Sequence, residues 1–241
     1  MQVSLYNDIF ILDDGEVREF LFLSRTTALL IDTGFPGTHI IDVVRRITSL
    51  PITVLLTHGD GDHRGGLCDF EECYVHERDK NLIPSDVQTY NIRQGEYIRA
   101  GKYCFEVIEI PGHTPGSIAL LDRRHKLLIS GDTIQKGPIY MFGDRRDLNM
   151  YIRSLKKLWK EKDDIDVILP SHHEYPLSHE YIEYCIEDAI ALKNGELQGT
   201  LHPRLPCKEY FILCLTVTLL QFFSINIFKE GTVFLFINII P

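Results

Sequence analysis

Hydrophobic and polar positions alternate along this chain in two rhythms. Short β-branched and aromatic runs at residues 9–12, 19–23 and 27–31 predict three early strands, with Asp13-Asp14-Gly15 as a turn after the first. From Thr38, read as an N-cap, to about Ser49 the apolar Ile40, Ile41, Val44 and Ile47 recur at helical spacing. The run Ile52-Thr53-Val54-Leu55-Leu56 predicts a buried strand. A glycine-rich polar loop follows, and Gly65-Gly66-Leu67 is read as the opening of a helix. Residues 73–75 predict a strand and 77–82 a short helix, while 88–98 is polar and carries no clear period. Strands are predicted again at 103–109, 118–121, 126–129 and 166–169. The second half adds two helices. One spans 147–160 with Leu148, Ile152, Leu155 and Trp159 inward, and the other spans 178–192, capped by Ser178 and closed near Gly195. Strands first, then strands alternating with helices, predict a layered α/β domain.

Polar residues with metal-ligating chemistry gather where those strands end. The loop after the buried strand reads Thr57-His58-Gly59-Asp60-Gly61-Asp62-His63-Arg64-Gly65-Gly66, which places four ligand-type side chains within six residues. Its glycines allow the backbone to fold those side chains about one centre. Aspartate is almost never buried unless it is paired or bound to metal, so packing does not account for Asp60 and Asp62. His113 follows Pro111-Gly112, Asp132 follows Ser130-Gly131, and His172 follows Pro170-Ser171. Four histidines and three aspartates suit two divalent ions with one bridging carboxylate, and imidazole with carboxylate favours zinc, iron or manganese. His39, His76, His125, His179 and His202 fall outside this pattern and are read as surface or packing residues.

Charge and composition narrow the function. The chain has 241 residues, a hydrophobic share of 44%, a charged share of 24% and a net charge of −9. That acidity argues against a general nucleic-acid binder, which shows basic stripes. The six cysteines form no C-x-x-C pair and suggest neither a disulfide framework nor a zinc finger. The first residues carry no basic and apolar signal pattern, so the expected location is cytoplasmic.

The His-x-Asp-x-Asp-His loop resembles the metal signature of the metallo-β-lactamase fold superfamily. Asp32-Thr33-Gly34, Pro111 to Ser117, Gly131-Asp132-Thr133 and Pro170-Ser171-His172 resemble its remaining motifs, in order, over roughly residues 1–195. The resemblance implies a four-layer αββα sandwich with a dinuclear site at one edge of the paired sheets. Carried over by position, His58, Asp60 and His113 would hold the first metal, Asp62, His63 and His172 the second, and Asp132 would bridge them. His172 fits the motif spacing better than His173. Asp32 would brace the ligand loop, Asp62 would shuttle protons, and Tyr140 would either face substrate or pack. Most members carry His at the position of Asp60; an aspartate there lowers Lewis acidity and shifts preference toward iron or manganese relative to an all-histidine first site, with two zinc ions still the first expectation. The implied activity is hydrolysis of an ester, thioester or lactone by a metal-activated hydroxide. The alternative on the same fold is a diiron oxidoreductase of the sulfur dioxygenase or oxygen-reducing type.

The domain is expected to occupy 1–204. From 205 to 241 the pattern changes, and residues 210–228 hold no charge. That length approaches a membrane span, but Thr216, Thr218, Gln221, Ser224 and Asn226 weaken the case for one. The tail is an anchor, part of the fold or an aberrant extension.

Overall fold

The computed structural model describes residues 1–141 and 144–196, together with the backbone of three further strands at 200–201, 210–214 and 234–238. The chain begins with four strands, β1 (Gln2–Tyr6), β2 (Ile9–Asp13), β3 (Arg18–Leu23) and β4 (Ala28–Ile31), followed by helix α1 (Ile40–Ile47) and strand β5 (Ile52–Leu55). A four-residue helix, α2 (Gly61–Arg64), lies inside the polar loop, and β6 (Glu72–Val75) and β7 (Gln88–Asn91) complete the first half. The second half runs β8 (Tyr97–Ala100), β9 (Tyr103–Glu109), β10 (Ile118–Asp122), β11 (Leu127–Gly131), β12 (Pro138–Met141), α3 (Leu148–Trp159), β13 (Val167–Pro170) and α4 (Glu180–Lys193).

These strands form a seven-stranded sheet in the order β1 to β7 and a five-stranded sheet in the order β13-β11-β10-β9-β8. Alternation along each strand divides its side chains between two layers. On β3, Phe20 and Phe22 point between the sheets, where they join Ile9, Ile11, Leu55, Phe105, Val107, Leu120 and Ile129. Leu21, on the opposite face, packs with Ile40, Val43 and Val44 of α1. The outer face of the second sheet offers Ala119, Leu121, Leu128 and Ile168 to Tyr151 and Leu155 of α3 and to Ile182 and Ala189 of α4. The result is the αββα sandwich. Its inner layer joins halves of the chain distant in sequence, and hydrophobic burial of this kind is the dominant favourable contribution to folding.

The structure corrects several local expectations. Thr38 is not the cap of α1; His39 occupies that position in the left-handed region, with no side-chain capping bond. No long helix opens at Gly65-Gly66; the only α-helical turn is α2, within the ligand loop itself, followed by a 3₁₀ turn at Leu67–Asp69. The predicted helix at 77–82 is a 3₁₀ turn of three residues, Lys80–Leu82. The polar stretch 88–98 supplies β7 and the start of β8, both at sheet edges, where half-exposed strands need no apolar alternation. On α3, Tyr151 and Leu158 are buried, while Leu148 and Trp159 are only partly covered. α4 begins after His179 rather than at a Ser178 side-chain cap.

Of the apolar tail, Tyr210–Cys214 (β15) and Phe234–Asn238 (β16) are strands; with Thr200–Leu201 (β14) they extend β12 in the order β12-β16-β15-β14. The rest of the charge-free run, 215–228, lies outside the described residues. Among the described residues no helix is long and apolar enough to cross a membrane.

Candidate metal centre

Parallel strands deliver their C-terminal ends to one edge of the sandwich, where loops are free to carry function. Asp32 follows β4, His58 follows β5, Asp132 follows β11 and His172 follows β13; α2 carries Asp62 and His63, and the β9–β10 loop carries His113. β4 pairs in parallel with β5, and β11 with β13, so these ends are neighbours in space.

Two glycines show how tightly the loops are drawn in. A Cβ on Gly112 would lie 2.4 Å from the Tyr151 Cα, and the residue holds a φ of +144°. A Cβ on Gly65 would lie 2.1 Å from the Pro36 nitrogen. The backbone before His113 therefore rests directly on α3, and the end of the ligand loop rests on the turn after β4.

Every predicted site residue reaches the same cleft. The atoms of His58, His113 and Asp132 lie within 4.8 Å of one another, and so do those of Asp62, His63, His172 and Asp132. Asp132 divides its carboxylate between the two groups. Its Oδ1 lies 3.2 Å from His63 Nε2 and 3.3 Å from His172 Nε2, while its Oδ2 lies 3.5 Å from His113 Nε2 and 3.9 Å from His58 Nε2. Asp62 Oδ2 stands 3.3 Å from His172 Nε2 and 3.6 Å from His63 Nε2. Asp60 Oδ2 stands 3.2 Å from His113 Nε2 and 3.6 Å from His58 Nε2. His173, with a φ of +59°, instead lays its ring against Gly137.

The outward nitrogens show why the inward ones converge. His113 Nδ1 donates to the Tyr140 carbonyl at 2.9 Å, and His172 Nδ1 donates to the Glu16 carbonyl at 2.5 Å. His63 Nδ1 meets Asp32 Oδ2 at 2.9 Å. The Thr57 hydroxyl donates to the same carboxylate oxygen at 2.7 Å, which leaves its own oxygen to accept from His58 Nδ1 at 3.1 Å. A ring that donates through Nδ1 presents a lone pair at Nε2, which is how ligating histidines are oriented. All four Nε2 atoms, and Asp132 Oδ1, are buried without a hydrogen-bond partner among the described residues. Five orphaned polar atoms facing one another would be costly in a folded core, and a bound cation removes that cost. The donor set therefore fits divalent metal.

The electrostatics agree. Burial alone would lower the basicity of His63 and His172, yet Asp132 outweighs it in both, together with Asp32 for the first and Asp62 for the second; His63 is held well above the usual imidazole range and His172 is raised to about 10. Burial would likewise raise the carboxyl of Asp132, but His172 and His63 outweigh it and hold that group well below the usual range. The carboxylates make a cleft that favours positive charge. Asp32 itself takes a φ of +64°, an unusual backbone for aspartate and of the kind that clusters at functional sites. From there it accepts from the Thr57 N–H at 2.7 Å as well.

Two residues outside the sequence motifs complete the cleft. Asp79, fully buried, accepts from Gly59 N–H at 2.9 Å on the first ligand loop. It also accepts from the Thr114 hydroxyl at 2.7 Å and from Gly116 N–H at 3.0 Å on the second. It pairs with Arg145 Nη2 at 2.7 Å, so one carboxylate ties the two loops together. Arg146 pairs with Asp60. No motif signals either residue; the one sign at Asp79 is an acidic side chain four positions beyond a buried strand. Tyr140 is 39% exposed, and burial together with the charges of Asp62, Glu16 and Asp132 raises its hydroxyl.

Comparison with known proteins is consistent with this geometry. The profile of the metallo-β-lactamase superfamily matches residues 20–172. A hydroxyacylglutathione hydrolase of Bdellovibrio bacteriovorus is 34% identical over 131 residues, 53% of this chain and 49% of that protein, so the match spans about half of the relative's length. The acyl-coenzyme A thioesterase MBLAC2 of Gallus gallus is 26% identical over 187 residues, 60% of this chain and 68% of that protein. A metallo-β-lactamase from Pontibacter korlensis shares the fold with a TM-score of 0.65 at 17% identity, over 78% of this chain and 98% of that one. By the extent of the profile match, and with the fold in accord, the chain belongs to the metallo-β-lactamase superfamily.

Proposed function

We propose that the chain is a metal-dependent hydrolase that holds two divalent ions and cleaves an ester, thioester or lactone, with thioesters the first class to test. The observation that carries this reading is the convergence of four buried imidazole Nε2 atoms on one carboxylate, Asp132, that turns a different oxygen to each pair. His58, Asp60 and His113 are assigned to one ion, Asp62, His63 and His172 to the other, and Asp132 to both. Zinc suits this mixture of imidazole and carboxylate first, with iron or manganese next. When bound, two such ions supply a water ionised near neutral pH and polarise the carbonyl under attack.

The chain's own groups do the rest. Asp62 is held ionised: burial would raise its carboxyl, but the imidazoles of His172 and His63 beside it outweigh burial. Asp62 accepts the proton of the attacking water and passes it to the departing sulfur or oxygen. Asp32, through His63 and Thr57, keeps both ligand rings in register during that transfer. Tyr140 faces the substrate at the mouth. The names of the hydroxyacylglutathione hydrolase and acyl-coenzyme A thioesterase relatives support a thioester and a small-molecule partner. Elemental analysis of the purified protein, run beside a panel of thioesters, esters and lactones, tests the proposal. The expected result is two divalent ions per chain and metal-dependent cleavage that chelation removes. Two irons with oxygen consumption and no hydrolysis would replace it with the oxidoreductase.

A further inference from the structure

We propose that Arg146 competes with a metal ion for Asp60, so that the two positions of the centre are unequal: the Asp62–His63–His172 position fills first and tightly, the His58–His113 position second and weakly. This rests on the reading of the cleft as a metal centre. The Asp60 oxygen that faces His58 and His113 is Oδ2, and Oδ2 is also the atom that receives Arg146 Nη2. The guanidinium is built into the cleft, with a side chain only 13% exposed. Its Nε donates at 3.2 Å to the Tyr140 carbonyl, the acceptor that also orients His113. Its backbone is fixed by the next residue. Asp147 caps α3 by accepting from Met150 N–H at 2.8 Å, and its own N–H donates to the Gly112 carbonyl at 2.9 Å, beside His113.

Arginine keeps its charge at any pH a protein tolerates. It therefore neutralises Asp60 permanently and sets a like charge against any ion at the first position. The second position keeps Asp62 and Asp132 with two imidazoles, and the only ion-pair partners of Asp62 among the described residues are His63 and His172. Where an aspartate replaces the usual histidine, the arginine beside it would convert a matched pair of sites into a strong and a weak one.

The alternative role for Arg146 is an outer brace, holding Asp60 while its other oxygen ligates. The two roles predict opposite signs. The full chain is stripped by chelation and titrated with Zn²⁺ against a chromophoric chelator, then with Co²⁺ followed by its visible absorption. The wild type is expected to bind a first equivalent tightly and a second about 100-fold more weakly. Arg146→Met is expected to tighten the second equivalent by about 10–100-fold, the order expected for removing one partly screened like charge beside the ion, and to leave the first unchanged. Arg146→Lys, which keeps the charge, is expected to stay weak at the second equivalent, separating charge from packing. Equal affinities in the wild type, or a second equivalent that weakens or does not move in Arg146→Met, overturns the inference while the metal centre stands. Failure of the wild type to bind even the first equivalent overturns both.

Discussion

At the scale of single residues, the centre depends on carboxylates whose partners are distant in sequence. Asp132 is the clearest. With its oxygens divided between two pairs of imidazoles, Asp132→Ala is expected to release both ions and to lower kcat/KM by at least about 100-fold, as read by metal content and turnover. Asp79 acts behind the ligands. Removing it strands two buried N–H groups, leaves the Thr114 hydroxyl only Ser117, and takes from Arg145 its carboxylate partner. Asp79→Ala is expected to cost about 3 kcal/mol in urea unfolding and to weaken metal binding, because the loops of His58 and His113 lose their common anchor. Sequence alone exposes the candidate ligands, since each sits in a short motif of glycine, proline and polar residues. It does not expose Asp79 or Arg146, because a single acidic or basic side chain has no pattern until the fold shows what it touches.

At the scale of elements, α3 and α4 hold the second sheet and the His113 loop in place. Leu155 is fully buried between α3 and that sheet, and Leu155→Ala is expected to cost about 2–5 kcal/mol by the usual reckoning for a core cavity. α4 carries an odd feature on its buried side. Asp188 is 3% exposed, and burial, with the neighbouring Glu187, pushes its carboxyl from 3.8 up to about 7. The folded chain then binds a proton there that the unfolded chain has released. Its contribution to stability is present below about pH 4, falls as pH rises, and is lost by about pH 7, a change of roughly 2–4 kcal/mol. Asp188→Asn is expected to flatten that slope and to raise stability at neutral pH relative to wild type, measured as denaturant midpoints from pH 4 to 8. Strands β2 to β6, β9 to β11 and β13 and both long helices were legible from periodicity, while β1 and β12 were not. α1's start, the 3₁₀ turn at 80–82 and the edge strands in 88–98 were not, because caps and edges depend on neighbours more than on local pattern.

At the scale of the whole molecule, the two halves meet through the inner apolar layer and again at the cleft, where β4 and β5 of one sheet face β11 and β13 of the other. An ion held by residues of both halves binds the folded state alone and so stabilises it by mass action. Free Zn²⁺ at about 100 times its dissociation constant is expected to add about 2.7 kcal/mol. That raises Tm by roughly 5–10 °C for a chain of this size, and calorimetry with and without chelator reads the change directly.

Legibility divides along the same line. Residue order alone determined the layered class, the positions of most strands and helices, and the seven side chains proposed for the metal, because periodicity and loop motifs are local properties of the chain. Tertiary structure decided how those side chains are used. It brought Asp132 between two pairs of imidazoles, set Asp32 and Thr57 behind His58 and His63, and tied the ligand loops through Asp79. Above all it placed Arg146 on Asp60, a pairing across 86 positions of sequence. Such contacts arise only when β-sheet pairing and helix packing close the chain on itself, and no spacing along the sequence encodes them.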